Sequence, residues 1–244
     1  MEQHLAGGFV TAVTRVDDTV RRLPSSNAGF VHELLLHFER QGWSGAPRYL
    51  GTDADGREIL SFIDGHVAWE SDQPPGVHCD ESVAAVAGLV REFHDLTAGT
   101  PLAGRAEVVC HNDLSPKNTV YQHVGGEFHP TAFIDWDIAA PGARIHDLAH
   151  VGWQFLALGP AGPDVAEAGR GLRLLCDSYG LDDRRPMIST ILWWQERCWR
   201  GIEGRADAGD PAMQRLRQNG AANSVRAAHR WTRANCDQLK AAMG

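Results

Sequence analysis

One stretch joins residue types that together can do chemistry: Val108-Val109-Cys110-His111-Asn112-Asp113-Leu114-Ser115-Pro116-Lys117-Asn118-Thr119-Val120-Tyr121. An apolar strand leads into His-x-Asp-x-x-x-x-Asn, and another follows. Downstream, Phe133-Ile134 ends on Asp135, with Trp136 and Asp137 after it. Asp113, Asn118 and Asp135 thus stand at the ends of short strands and can face one point. Phosphoryl transfer needs this set. One carboxylate orients the acceptor hydroxyl and takes its proton. A second carboxylate and an amide oxygen suit Mg²⁺, a hard cation that takes oxygen ligands. The five-residue step from Asp113 to Asn118 lets one loop reach both hydroxyl and metal. Packing gives Asp135 no reason to end an apolar run, because a buried carboxylate is costly unless a cation or donors compensate it.

The elements that must position these groups fall into two parts. Phe9 to Val16 and Thr19 to Arg22 read as β-runs joined by an Asp17-Asp18 turn. Phe30, Val31, Leu34, Leu35 and Phe38 recur at helical spacing within Gly29 to Arg40, and Gly42 follows. Arg48 to Thr52 and Arg57 to Ile63 read as strands around Asp53-Ala54-Asp55-Gly56. After Asp64-Gly65 a loop leads to a helix that Asp80 can cap, with Val83, Val86, Val90 and Phe93 on its apolar face. Beyond 135 the pattern is helical. Val165, Leu172, Leu175 and Tyr179 form a stripe before Gly180, and Ile188, Ile191, Leu192, Trp199 and Ile202 form one after Arg185-Pro186. A last helical stretch spans Pro211 to Leu239 with a break at Gly220. The expected class is α+β, with a β-rich part at 1–63 and a mainly helical part at 64–244. A cleft between such parts is where ligands tend to bind.

Composition narrows the function. At 244 residues and 43% hydrophobic, the chain can bury a substantial core. The net charge of −8 disfavours nucleic acid, whose binders rely on phosphate contacts, and is compatible with a cationic substrate. The five cysteines are odd in number and widely spaced, which predicts free thiols and a cytoplasmic setting. The start, Met1-Glu2-Gln3-His4, lacks a cationic and apolar leader, and the longest apolar run, Val83 to Val90, is too short to span a bilayer. No membrane association is expected.

The motif resembles the aminoglycoside phosphotransferase and choline kinase family, small-molecule kinases with a bilobal protein-kinase-like fold. Supporting segments are Thr19-Val20-Arg21-Arg22, Gly45-Ala46-Pro47-Arg48, Gly56 to Gly65, and Ala139-Ala140-Pro141-Gly142 with His146-Asp147-Leu148-Ala149-His150. The resemblance covers residues 5–155 most clearly. It implies ATP and Mg²⁺, with a nucleoside triphosphate and a small-molecule acceptor as partners. Asp113 would be the base, and Asn118 and Asp135 the metal ligands. His111 would brace the loop, and Asp147 would fix its shape from behind. Phe62 and Ile63 would hold adenine through the backbone, within a nucleotide-binding lobe at 1–63. The expected activity is transfer to a hydroxyl of a small, cationic molecule such as an aminoglycoside, with antibiotic resistance as the outcome. A metabolic kinase for choline, an amino alcohol or a sugar is one alternative. An inactive nucleotide-binding or immunity-type module is another.

The chain departs from the family in informative places. The phosphate anchor is Arg21 or Arg22 where kinases use Lys; alternation admits one of them to the cleft, and alignment of the strand favours Arg21. Glu33 is a candidate partner for it. The phosphate loop reduces to Gly7-Gly8. Eleven residues between Asp135 and Asp147 leave no room for an activation segment, which argues against a protein substrate. Simpler readings cover other features. His146 and His150 are read as a packed or solvated pair, the cluster of Trp193, Trp194 and Trp199 as core, and Glu196, Glu203, Asp207 and Asp210 as a solvated surface.

Overall fold

The computed structural model describes residues 2–4, 13–69, 73–125 and 127–244. The Gly7-Gly8 pair and the start of the Phe9–Val16 run lie outside the described residues. The observed class is α+β. Contacts divide the chain into two compact units, 1–147 and 148–244.

The first unit opens with β1 (Glu2–His4), β2 (Thr14–Val16) and β3 (Thr19–Arg22). Helix α1 (Ala28–Arg40), β4 (Tyr49–Thr52) and β5 (Glu58–Ser61) follow. The five strands form one antiparallel sheet in the order β1-β2-β3-β5-β4. Two turns require left-handed backbone: Asp17 has φ 53° between β2 and β3, and Gly56 has φ 76° between β4 and β5. Helix α1 buries Val31, Leu34, Leu35 and Phe38 of the apolar positions its periodicity singles out, while Phe30 is half-buried.

Next come β6 (His66–Val67), α2 (Asp80–Thr97) and β7 (Val108–Cys110). They are followed by β8 (Thr119–Val124), β9 (Glu127–Phe133) and β10 (Ala140–Gly142). Strands β6, β8 and β9 make a second sheet, and β7 pairs with β10. Asp80 is the first residue of α2 rather than its cap; Cys79 takes the cap position without a side-chain bond. An acidic side chain in the first turn still favours the helix N-terminus electrostatically. Phe93 packs edge to face with Phe38 and with Trp136, the latter at 5.1 Å, and Trp136 lies tilted 5.2 Å from Phe38. Each fully buried aromatic contributes about 1.5–3 kcal/mol, so this cluster firmly anchors the segment that carries Asp135 and Asp137.

Helix α3 (Arg144–Phe155) leads into the second unit. There α4 (Val165–Tyr179), α5 (Met187–Asp207), α6 (Pro211–Gln218), α7 (Ala221–Ala234) and α8 (Cys236–Met243) follow. Leu172, Leu175, Tyr179, Ile188, Ile191 and Ile202 are buried, as their stripes predict, while Val165, Leu192 and Trp199 are half-buried. Gly180 closes α4 at φ 75°, and Gly220 breaks the chain at φ 80°. A second break, at Asn235, has no glycine to announce it. Among the described residues, no helix is long and apolar enough to cross a membrane, and all five cysteines are free.

Candidate active site

The loop 111–118 is held from behind by one carboxylate. Asp147, fully buried, accepts the His111 N–H at 2.8 Å and the Asn112 N–H at 2.8 Å. His94 of α2 bonds the same carboxylate at 3.1 Å. Burial pushes the Asp147 carboxyl up, but hydrogen bonding and charge from His94, with the Asn112 N–H, outweigh it and hold the group below its usual range. This anchoring lets Asn112 adopt φ 67°, a conformation that costs a non-glycine residue energy. His111 accepts from the Asp113 N–H through Nδ1 at 3.3 Å, and its Nε2 meets the Ile134 carbonyl at 3.0 Å. Together the bonds select the Nε2–H tautomer and leave neither nitrogen for proton transfer.

Asp113 and Asn118 lock to each other. The Asn118 amide donates to the Asp113 carbonyl at 2.8 Å and to its carboxylate at 2.9 Å. The amide nitrogen is committed to Asp113, so the side-chain Oδ1 is the only end of the Asn118 amide that can accept. Thr119 pairs with Phe133, and the Ile134 N–H reaches the Asn118 carbonyl at 2.9 Å, which sets Asn118 beside the Ile134-Asp135 step.

Trp136 faces the core, with its indole N–H on the Phe133 carbonyl at 2.9 Å. Its neighbours Asp135 and Asp137 both reach Arg22 instead. Asp135 sits at φ 66°. Asp135, expected to be buried, is not: Phe133 ahead of it enters the core and Ile134 is half-buried, but the Asp135 side chain is 46% exposed. Asn27, preceding α1, does not cap that helix; its amide donates to the Asp137 carbonyl at 3.2 Å and the Ala139 carbonyl at 2.9 Å. The helix start is thereby tied to the Asp135–Asp137 turn.

Arg22, not Arg21, meets these carboxylates. Its Nε donates to Glu58 at 2.6 Å, one terminal nitrogen reaches Asp137 at 3.2 Å and Asp135 at 3.5 Å, and the other bonds Asp137 closely. The physical reason is register: Arg22 is paired with Glu58 and Arg21 with Ile59, so Arg21 turns to the opposite face and pairs with Asp53 at 3.4 Å. Burial opposes the charge on Arg22, but Asp137, then Glu58 and Asp135, more than offset it and raise its pKa. Burial likewise raises the Asp137 carboxyl, and repulsion from Asp135 adds to this against the pull of Arg22. Glu33 is exposed and takes no part; the carboxylate that grips the arginine comes from β5. Phe62 donates its backbone N–H to the Asp18 carbonyl at 2.9 Å, so that group is not offered to a base, and the Arg15 guanidinium covers its ring at 3.6 Å. Ile63 follows, half-buried.

Sequence reasoning missed Glu58, Asn27 and His94, and gave Asp137 no role. A signal existed for Glu58: an acid in a short apolar strand, on the strand that pairs with Arg22. For His94 the signal was a titratable side chain on the buried face of α2. His94, Cys110 and Asp147 also bring ligand-type atoms within 4.8 Å of one another. The cluster suits a hydrogen-bond network better than a metal. Asp147 is saturated by N–H donors, and the Cys110 thiol lies 3.3 Å from the Ala143 carbonyl. Burial, then the Asp147 charge, drive that thiol's pKa far upward, away from the thiolate that a metal needs.

His150 is buried against Trp153 and Trp194, while Trp193 is 45% exposed and so lies outside the core. Glu196, Glu203, Asp207 and Asp210 pair with Arg200, Arg226, Arg217 and Arg205.

Comparison with known proteins adds to this geometry. The family described as "Phosphotransferase enzyme family" matches residues 100–187, which include the loop and the Asp135–Asp137 turn. The Trifolitoxin immunity protein of Rhizobium leguminosarum bv. trifolii is 32% identical over 206 residues, covering 74% of this chain and 75% of that one. Among solved structures, the ethanolamine kinase of Plasmodium vivax is 12% identical with a TM-score of 0.67, over 99% of this chain and 83% of that one. An aminoglycoside phosphotransferase of Streptomyces rimosus, bound to ADP and streptomycin, is 15% identical with a TM-score of 0.57, over 79% of this chain and 90% of that one. These structural likenesses show a shared fold.

Proposed function

The chain belongs to the phosphotransferase enzyme family, and from that premise we propose that it is an ATP- and Mg²⁺-dependent kinase for a hydroxyl of a small, cationic molecule. One observation carries the reading. The Asn118 amide is bonded twice to Asp113, which fixes a carboxylate and an amide oxygen in one loop beside Asp135. The donor set fits a hard divalent cation: the Asn118 carbonyl oxygen and the exposed Asp135 carboxylate are both oxygen ligands. Asn118 and Asp135 would hold the ion, which would supply positive charge against the phosphate groups of the nucleotide. Asp113 would orient the acceptor hydroxyl and take its proton. Arg22 would offer its terminal nitrogens to phosphate oxygens, for which a guanidinium fork is well shaped. His111 and Asp147 would keep the loop in place without touching the reacting atoms. In this scheme residues 1–63 serve the nucleotide, with Ile63 beside the base, and residues 64–244 carry the catalytic loop and the acceptor contacts. Hydroxyl-bearing antibiotics such as aminoglycosides are the leading acceptor class, given the acidic chain and the fold it shares with the streptomycin-bound enzyme.

A specific observation favours a second reading, immunity without phosphotransfer: the relative at 32% identity is named for immunity. The two readings diverge in a simple assay. The kinase reading expects MgATP to raise the melting temperature and ADP to be released with one member of a panel of aminoglycosides, peptide antibiotics, choline and sugars. A protein that protects cells yet neither binds MgATP nor turns over any acceptor would establish the second reading instead.

A further inference from the structure

We propose that Glu58 and His32 are positioning residues for Arg22, a relay that runs from α1 through the sheet to the phosphate-facing guanidinium. The inference rests on the phosphotransfer reading for its purpose, but not for its geometry. Glu58 is 2% exposed, and each of its oxygens serves a different element. Oε1 accepts the Arg22 Nε–H of β3 at 2.6 Å, and Oε2 meets His32 Nε2 of α1 at 2.7 Å. The His32 ring lies flat on Tyr49 of β4, with centroids 3.7 Å apart and planes 14° apart. Stacking thus fixes the plane of the imidazole, the imidazole fixes the carboxylate, and the carboxylate fixes the guanidinium.

The atom that Glu58 grips decides the consequence. Holding Nε turns both terminal nitrogens outward, where they now meet Asp135 and Asp137. Phosphate oxygens can replace those carboxylates without disturbing the Nε bond. Removing the imidazole strands Oε2 in a dry place, and a buried acceptor without a donor is costly. The carboxylate then turns toward other donors and its hold on Nε loosens. Through His32, the placement of α1 is coupled to the aim of Arg22.

The test compares the wild-type protein with His32→Leu, His32→Gln, His32→Asn and Glu58→Gln. Gln can set an amide nitrogen near the position of Nε2, whereas Asn is too short. The first readout is solvent exchange of the Arg22 Nε–H by NMR in the nucleotide-free protein. His32→Leu and His32→Asn are expected to speed it about tenfold, with recovery in His32→Gln. The second readout is affinity for MgATP and for adenosine. His32→Leu and Glu58→Gln are expected to weaken MgATP about tenfold and to leave adenosine, which has no phosphate, unchanged. Unchanged exchange in the folded Leu and Asn variants overturns the relay, as does equal weakening of adenosine and MgATP. If Leu fails to fold, the Asn and Gln pair still decides. A wild-type protein that binds no MgATP removes the phosphotransfer reading, while the exchange data still judge the hold on Arg22.

Discussion

Two regions of the first unit handle charge in opposite ways. Behind the loop, the single carboxylate of Asp147 is fully buried and met by two backbone N–H groups and His94. Around Arg22, one guanidinium faces three carboxylates, Glu58, Asp135 and Asp137, and the last two are open to solvent in part. In the first region the carboxylate is enclosed and engaged by three neighbouring donors. The second has surplus negative charge and a fork that exchangeable partners occupy. A site that must bind and release a charged substrate needs both. Preorganisation comes from the saturated network, and responsiveness from the unbalanced one.

Variants break this comparison at different points. The largest effect is expected from Asp113→Ala, which should lower the transfer rate about 10³-fold with little change in melting temperature; wild-type turnover would falsify its role as base. Asp147→Asn should cost about 3 kcal/mol of stability in urea unfolding, because two backbone N–H groups and His94 lose their anion together. An unchanged unfolding midpoint would refute the saturated network.

The same carboxylate sets an acid limit. Its folded pKa is depressed, so its stabilisation is complete above the unfolded value, about 4, and is lost as pH falls through the folded value. The stability gap between wild type and Asp147→Asn should therefore narrow below about pH 4, as read by unfolding at stepped pH. In the unbalanced region, Arg22→Lys should weaken MgATP about tenfold, whereas Arg21→Ala should stay within about twofold when both are titrated by calorimetry. Equal losses would return the phosphate contact to Arg21. The smallest effect is expected on the helical surface, where Arg217→Ala should change stability by no more than about 0.5 kcal/mol.

Much of the local structure was legible. The apolar spacing of Phe30 to Phe38 defined α1, Gly180 and Gly220 marked real helix ends, and the Asp113–Asn118 step identified the loop. Relations across the chain were not legible. Asp80 had the chemistry of a cap, but the helix begins on it. Asp135 ended an apolar run that does enter the core, yet the neighbouring indole takes the inward direction and the carboxylate faces out. Trp193 and Trp194 are adjacent on one helix, and the first is exposed while the second is buried.

The chain's own order of residues determined which groups could do chemistry and how far apart they lie along one loop, because helix periodicity and turn preferences are local. Tertiary structure decided which arginine faces the Asp135 and Asp137 carboxylates. Strand side chains alternate, so a single step of register moves Arg21 and Arg22 to opposite faces, and only the pairing of Arg22 with Glu58, 36 residues away, selects between them.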